Sequence, residues 1–437
     1  MKVAIVGGGI TGLSAAYYLE KRTAQNAECE ITLFERTSRL GGAISSPLED
    51  GLRFEDGPDS FLSYKPAGLQ LVEELGITDR LINSNVRDVY VVRKGRLVSF
   101  PADFHFFVPK GWGPLLGTHL FSWSTKLHAA GEILRHRRPS DQDLSVADFT
   151  RERFGDEIYQ YLAEPLLSGI YGGDAEKLSM TAVLPQFLEY EKKYGNVVRG
   201  VVAAAQSTLK SKPRWAPFVS FRNGMQELTD ALAARLTRTQ VCLNSPVEKF
   251  PADFDAVILA TPPVHSARLL RTAAPDVAEI LDQIPCASTV TVSVIYRAQD
   301  LPPSEGGFGF LAPRVEHRKI LGCSWLSAKY PARAREGHTY VRGFLGGNYS
   351  DDAAIDAVLG ELRDLMGVKS TPEKIHVAHW PEVMAQPMVG HRERIAELQR
   401  RLQNYPRLAL AGNFFNGIGI PDCIRTAREA AERIVIE

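Results

Sequence analysis

Along this chain the apolar positions change period several times, and each change marks an element. Residues 2–6, KVAIV, form a short run of the buried type, and from Ile10 to Lys21 the apolar residues Leu13, Ala16, Tyr17 and Leu19 follow helical spacing. Residues 30–35, EITLFE, make a second strand that ends on a carboxylate. Strand, glycine turn, helix and strand predict a βαβ unit, because parallel strands need a right-handed helical crossover. Near residue 86 the style changes: a hairpin, VYVVRKGRLVSFP, leads into FHFFVPKGWGPLLGTHLFSW and then into helical patterning to about residue 210. That stretch reads as an insertion.

Residues 218–262 return to the first style, with a helix over Gly224 to Leu236, the β-type segment SPVEKF and the apolar strand DAVILATPP. STVTVSVIYRA at 288–298 and HTYVRGFLGGN at 338–348 carry the alternation and β-branched content of an antiparallel sheet. The tail, LALAGNFFNGIGIPDCIRTAREAAERIVIE, is strand, glycine loop and helix, and it re-enters the first unit with Asp422 expected as helix N-cap.

Composition adds limits. At 437 residues the chain exceeds one simple core, and 44% hydrophobic with 23% charged residues is ordinary for a globular protein. A formal net charge of +0 leaves nothing global to recruit nucleic acid. Cys29, Cys242, Cys286, Cys323 and Cys423 are scattered, odd in number and without CxxC, which speaks against a disulfide framework or a zinc site and for a reducing compartment. Met1-Lys2 runs straight into the first strand, so the chain reads as unsecreted and cytoplasmic. No run approaches the ~18 apolar residues of a membrane span.

The chemistry begins at Gly7-Gly8-Gly9-Ile10-Thr11-Gly12, a GxGxxG between strand and helix. Gly7 permits the turn, Gly9 lets backbone approach a pyrophosphate, Gly12 lets the helix pack closely, and the helix N-terminus favours phosphate charge. Glu35, at the end of the next strand, is placed to accept ribose hydroxyls. Arg36 follows it, and Arg39-Leu40-Gly41-Gly42 offers a second close backbone approach.

In that order these motifs resemble the two-dinucleotide-binding-domain flavoproteins, among them amine oxidases, carotenoid desaturases and porphyrinogen oxidases. The resemblance narrows at Phe54-Glu55-Asp56-Gly57-Pro58-Asp59-Ser60-Phe61-Leu62, LVSFP at 97–101, Gly169-Ile170-Tyr171-Gly172-Gly173-Asp174, Trp380 through Gln386-Pro387 to Gly390-His391, and the tail GIGIPDCI. These are similar to the bacterial oxygen-dependent porphyrinogen oxidases, which oxidise protoporphyrinogen IX or coproporphyrinogen III in haem synthesis, with dioxygen as acceptor and hydrogen peroxide as by-product.

The resemblance implies α/β plus α+β architecture. A Rossmann-type FAD-binding domain would comprise 1–85, 211–285 and 404–437, a mixed-sheet substrate domain 86–103 and 286–403, and a helical insertion 104–210. It implies flavin contacts at Gly7 to Gly12, Glu35, Gly42, Ala43, Gly57, Pro58, Asp59, Ser60, Val247, Asn413, Ile418, Gly419 and Ile420, with Arg36 and Gly41 beside them. Ala43 stands where some relatives carry a large aromatic, so its contact would be through backbone. Val247 in SPVEKF would pair its backbone with the adenine edge. Amine oxidases often attach flavin through a cysteine, but none lies between Cys323 and Cys423, so noncovalent FAD is expected.

With flavin-centred chemistry, no catalytic nucleophile and no metal are required. His376-x-x-His379 lies in an expected strand without a third ligand and reads as structural. The tetrapyrrole's propionates need cations, for which Lys65, Arg93 and Arg96 are the candidates, with Arg392 and Arg394 weaker. Residues 104–138, with Lys126, Arg135, Arg137 and Arg138, read either as a lid over a substrate tunnel or as a peripheral contact with an anionic membrane. A homodimer stays open. Competing readings are an amine oxidase or desaturase, and a noncatalytic binder resembling the GDP-dissociation inhibitors.

Overall fold

The computed structural model describes residues 1–24, 29–85, 88–101, 103–134, 142–210, 214–301 and 307–434. Its first sheet has five parallel strands in the order Thr239–Cys242, Glu30–Phe34, Lys2–Val6, Ala256–Leu259, Leu408–Leu410. Successive side chains of a strand point to opposite faces. Val3, Ile5, Ala256 and Ile258 accordingly join one apolar cluster, while Ala4, Val6, Val257 and Leu259 join another. Helices Ile10–Arg22 and Ile420–Arg433 cover the first face, where Ala15, Ala16, Ala427 and Ala431 keep the side chains between them small. Pro263–Leu270, Pro275–Asp282 and His391–Leu402 cover the second. Helix His391–Leu402, placed with the substrate lobe by sequence, therefore buries its apolar side in the nucleotide unit.

The second sheet has seven strands in the order Lys374–Ala385, Cys286–Arg297, His338–Gly346, Gly322–Trp325, Gly309–Leu311, Tyr90–Arg93, Arg96–Ser99. It is mixed: all neighbours are antiparallel except Gly309–Leu311 with Tyr90–Arg93. The alternation in STVTVSV sorts its faces. Val290, Val292 and Val294 meet Val358 and Leu362 of helix Asp351–Met366. Thr291 and Arg342 face the other way and bond to the Asp56 carbonyl of the nucleotide unit.

The helices of residues 112–210 share an aromatic core that includes Phe104, Phe107, Phe121, Phe149, Phe154 and Phe187. One continuous helix runs from Asp156 to Tyr171 through a π-helical turn at Tyr159–Ala163 and stops at Gly172 in the left-handed region. Inside this insertion Arg153 is 1% exposed and its Nη1 lies 2.6 Å from Glu132 Oε1, while Nη2 reaches Glu191. Removing one member of such a buried set leaves uncompensated charge, at a cost of about 3–5 kcal/mol. Arg153→Met should thus lower the melting temperature markedly and speed proteolysis within 104–210. A melting temperature equal to wild type would show that the triad does not hold the insertion together.

Sequence and structure differ in detail. The helix expected over Gly224 to Leu236 spans Gln226–Ala233, and the Val247 segment is a loop rather than a strand. The N-cap of the last helix is Gly419, with Asp422 three residues in, because Asp422 Oδ2 accepts the Gly419 N–H at 3.1 Å. No helix among the described residues is long and apolar enough to cross a membrane.

Candidate functional site

The turn after the first strand folds back because Gly7 adopts φ 109°, which side-chain-bearing residues rarely do. Gly12 is confined by contact, since a Cβ there would lie 1.8 Å from the Gly7 carbonyl oxygen. Gly9 and Gly41 form a bridge, the Gly41 N–H donates to the Gly8 carbonyl at 2.9 Å, and a Cβ on Gly42 would lie 2.9 Å from Gly9 Cα. Two glycine loops are thereby pressed together at the N-terminus of helix Ile10–Arg22, which has no side-chain cap and no acidic residue in its first turn. Arg39 shapes the second loop: its Nη2 donates to the Gly42 carbonyl at 2.7 Å and its Nη1 to those of Leu40 and Ile44.

Glu35 is buried at the edge of this arrangement. Its Oε2 accepts the Gly8 N–H at 2.8 Å, and its Oε1 accepts both the N–H and the hydroxyl of Thr37 at 2.8 Å. Glu35 thus organises the loops themselves, and only part of its accepting capacity remains for a ligand. The Ser245 N–H donates to the Glu35 carbonyl and the Asn244 N–H to that of Thr37, which draws the Val247 loop alongside. Arg36 is exposed.

Residues 54–60 are clamped onto the second sheet by buried charge. Glu55 pairs with Arg333 at 2.7 Å, and Asp59 with Lys329 at 2.8 Å. The fully buried Arg342 donates to the carbonyls of Asp56 and Gly57. Thr291 and Trp380 Nε1 also donate to the Asp56 carbonyl. Burial would raise the Asp59 carboxyl, but Lys329 and Arg342 hold it well below the usual range. Ser60 donates its hydroxyl to Asp59 at 2.6 Å. The side chains of Asp59 and Ser60, both expected at the flavin, are therefore committed to one another and to Lys329, which leaves backbone to meet a ligand.

Lys65, expected to meet substrate, lies 2.5 Å from Asp422 Oδ2 at the start of the last helix. Arg93 pairs with Glu157 at 3.2 Å and lies over the Tyr161 ring. Arg96 is exposed on the edge strand of the second sheet. Two of the three expected cations are thus paired with carboxylates of the chain itself. In the tail, the Asn413 side-chain amide donates to the Val383 carbonyl at 2.8 Å, and Ile418 packs against the aromatic core of the insertion. Burial pushes the neighbouring Cys423 thiol up to about 11, which disfavours the thiolate.

His376 and His379 occupy the strand expected for them and each meets carboxylates. His376 Nε2 lies 2.8 Å from Asp56 Oδ1, its Nδ1 3.0 Å from Glu49 Oε1, and His379 Nε2 lies 2.6 Å from Asp351 Oδ1. Both His376 nitrogens can donate only when the ring is protonated. The Asp56 hydrogen bond raises its pKa against the opposing effect of burial.

Residues 10–435 match the family model described as flavin containing amine oxidoreductase. The chain belongs to this family. It is 34% identical over 458 residues to coproporphyrinogen III oxidase of Bacillus subtilis, covering 98% of this chain and 96% of that one. It is 29% identical to the chloroplastic protoporphyrinogen oxidase 1 of Arabidopsis thaliana, over 98% of this chain and 86% of the relative. A solved structure from an Exiguobacterium species, provisionally named as a protoporphyrinogen oxidase, superposes with TM-score 0.86 at 30% identity, covering 99% of this chain and 98% of that one.

The cofactor of the family is a flavin, and for this chain it is FAD. The residues present fit it: an uncapped helix N-terminus free of acidic side chains, two glycine loops in backbone contact, and a buried carboxylate with remaining lone pairs. Sequence reasoning missed Arg39, Lys329, Arg333 and Arg342 as the groups that set this geometry. Arg342 carries a signal, since a lone charge in the middle of an apolar strand demands a buried partner.

Glu35→Ala should weaken FAD binding at least about tenfold, because each charge-assisted hydrogen bond contributes about 1.5–3 kcal/mol. Flavin fluorescence titration gives the affinity, and an unchanged Kd removes Glu35 from the site. The raised pKa of His376 makes its stabilisation fully present below its unfolded value of about 6.5 and lost as pH rises through the higher folded value. The stability difference between wild type and His376→Gln should accordingly be greatest near pH 6 and shrink on the alkaline side; a difference that grows there would reverse the assignment.

Proposed function

We propose that this protein oxidises a porphyrinogen to the corresponding porphyrin, with FAD as electron acceptor and dioxygen as terminal oxidant. The observation that carries this reading is full-length similarity to coproporphyrinogen III oxidase at 34% identity, with the motifs in the family's order. Bound FAD supplies the two-electron acceptor that dioxygen regenerates with release of hydrogen peroxide. The chain's own contribution is to bind, orient and exclude water.

Amides of Gly7 to Gly12 and of Gly41 to Ala43 would meet the pyrophosphate, Glu35 the ribose and the Val247 backbone the adenine. Backbone of Gly57 to Ser60, with Asn413 and Ile418 to Ile420, would border the flavin ring. An amine oxidase would share these contacts, and the tetrapyrrole reading rests on the named relatives.

Aerobic addition of coproporphyrinogen III or protoporphyrinogen IX should yield the fluorescent porphyrin and about three hydrogen peroxides per product, while primary amines give no turnover. Amine turnover without porphyrin formation would replace this reading with the amine-oxidase one. Acid precipitation should leave colourless protein and yellow supernatant; flavin retained on the protein would reveal a covalent link.

A second reading, peripheral membrane contact, has its own observation. Trp123 and Leu127, one turn apart on helix Trp123–Ala130, are 68% and 72% exposed, and Leu116 nearby is 46% exposed. Lys126, one of the cations on which the membrane alternative drew, is buried, with its Nζ donating to the Leu116 carbonyl at 2.8 Å. Arg135, Arg137 and Arg138 lie outside the described residues. Wild type should float with anionic liposomes and Trp123→Ser/Leu127→Ser should not. Self-association without flotation would assign the patch to a homodimer.

A further inference from the structure

Among the cations expected to meet the substrate's carboxylates, Lys65 and Arg93 are already paired. Elsewhere the fold gathers three others. A cleft of about 490 Å³ opens between the turn Gly172–Asp174, the start of strand Cys286–Arg297 and the loop around residues 314–321. Arg314, Arg318 and Lys319 line it against one carboxylate, Asp174. They converge because His317 adopts φ 53° and reverses the chain between Arg314 and the other two.

Their states differ. Arg314 is fixed, with Nη1 on Asp174 Oδ1 at 3.0 Å, Nη2 on the Gly173 carbonyl at 2.9 Å and Nε 3.4 Å from Glu164 Oε1. Arg318 Nη1 meets Glu361 at 3.3 Å and Asp364 at 3.7 Å, but its buried Nε has no hydrogen-bond partner. The Lys319 backbone N–H donates to Glu361 at 3.0 Å, while its exposed ammonium has no partner among the described residues. Both guanidinium groups carry carboxylate partners, so the positive charge this wall offers an incoming carboxylate is the Lys319 ammonium, while Arg314 holds the glycine turn that shapes the cleft.

A relay of contacts links the cleft to the tail loop proposed to border the flavin. Ala287 on its wall pairs with Met384, and the next residue, Val383, accepts the Asn413 amide at 2.8 Å. The Gln386 amide donates to the Tyr171 carbonyl at 2.8 Å, tying the glycine turn to that same strand end. One structure thus connects the cationic wall to the Asn413 loop.

We propose that this cleft is a carboxylate-binding site that seats propionate groups of the tetrapyrrole, with Lys319 as the residue that discriminates by carboxylate number. It rests on the porphyrinogen reading above. Coproporphyrinogen, with four propionates, can place groups here while others lie elsewhere; protoporphyrinogen, with two, has fewer to offer.

FAD-loaded wild type, Lys319→Glu and Lys319→Arg are titrated with coproporphyrin III, protoporphyrin IX and coproporphyrin tetramethyl ester, following porphyrin fluorescence polarisation, and KM is measured for both porphyrinogens. Charge reversal at this exposed position should raise Kd for coproporphyrin III about tenfold or more, affect protoporphyrin IX less and leave the ester unchanged, with Lys319→Arg close to wild type. KM for coproporphyrinogen should rise while kcat stays near wild type. Equal coproporphyrin Kd in wild type and Lys319→Glu, or an equal loss for the ester, overturns the site while leaving the oxidase reading intact. Wild type that neither binds nor oxidises any of these compounds overturns both.

Discussion

Buried charge between the two sheets is the constraint on which the rest depends. Glu55 and Asp59 leave the nucleotide unit, Lys329, Arg333 and Arg342 leave the other, and they meet where water is excluded. Taking such ions out of water costs several kcal/mol each, so the arrangement holds only while every partner is in place. The same requirement fixes position. A loop whose carbonyls receive Arg342, Thr291 and Trp380 cannot slide along the sheet, and the backbone beyond Gly57 is presented at one depth and one angle. The glycine loops use the opposite means, since Gly9 and Gly42 set their spacing by having no side chain at all.

Much of this was legible from residues. The βαβ unit, the strands at 288–298 and 338–348 and the return of the tail followed from period and glycine placement, because strand alternation and helical spacing are local properties. The ends of elements were less legible: Asp422 looks like an N-cap by type, but Gly419 takes that place and the aspartate turns back to its amide. The charges were the least legible. Lys65 and Arg93 stand beside a motif in sequence, yet each has a carboxylate more than 60 residues away in the chain, at Asp422 and Glu157, that only the tertiary fold brings near.

Arg342 and Lys319 illustrate the two ends of this problem. Arg342 sits in an apolar strand and its burial is readable from the pattern, although its partners are not. Lys319 sits in a polar loop and looks like any solvated lysine; only the reversal at His317 and the pairing of Arg314 and Arg318 set it apart. Residue type says what a side chain can do, and topology says what it is given to do it with.

The strand order of the first sheet also bears on how the chain is made. Lys2–Val6 lies between partners that begin at residues 30 and 256, and helix Ile10–Arg22 is covered by a helix that starts at Ile420. Contacts of such separation are slow to form, and domains ordinarily fold as they leave the ribosome. The seven strands of the intervening lobe all lie between residues 90 and 385, so that sheet closes over shorter stretches of chain. The glycine loops that hold the cofactor thus depend on the longest closures in the fold.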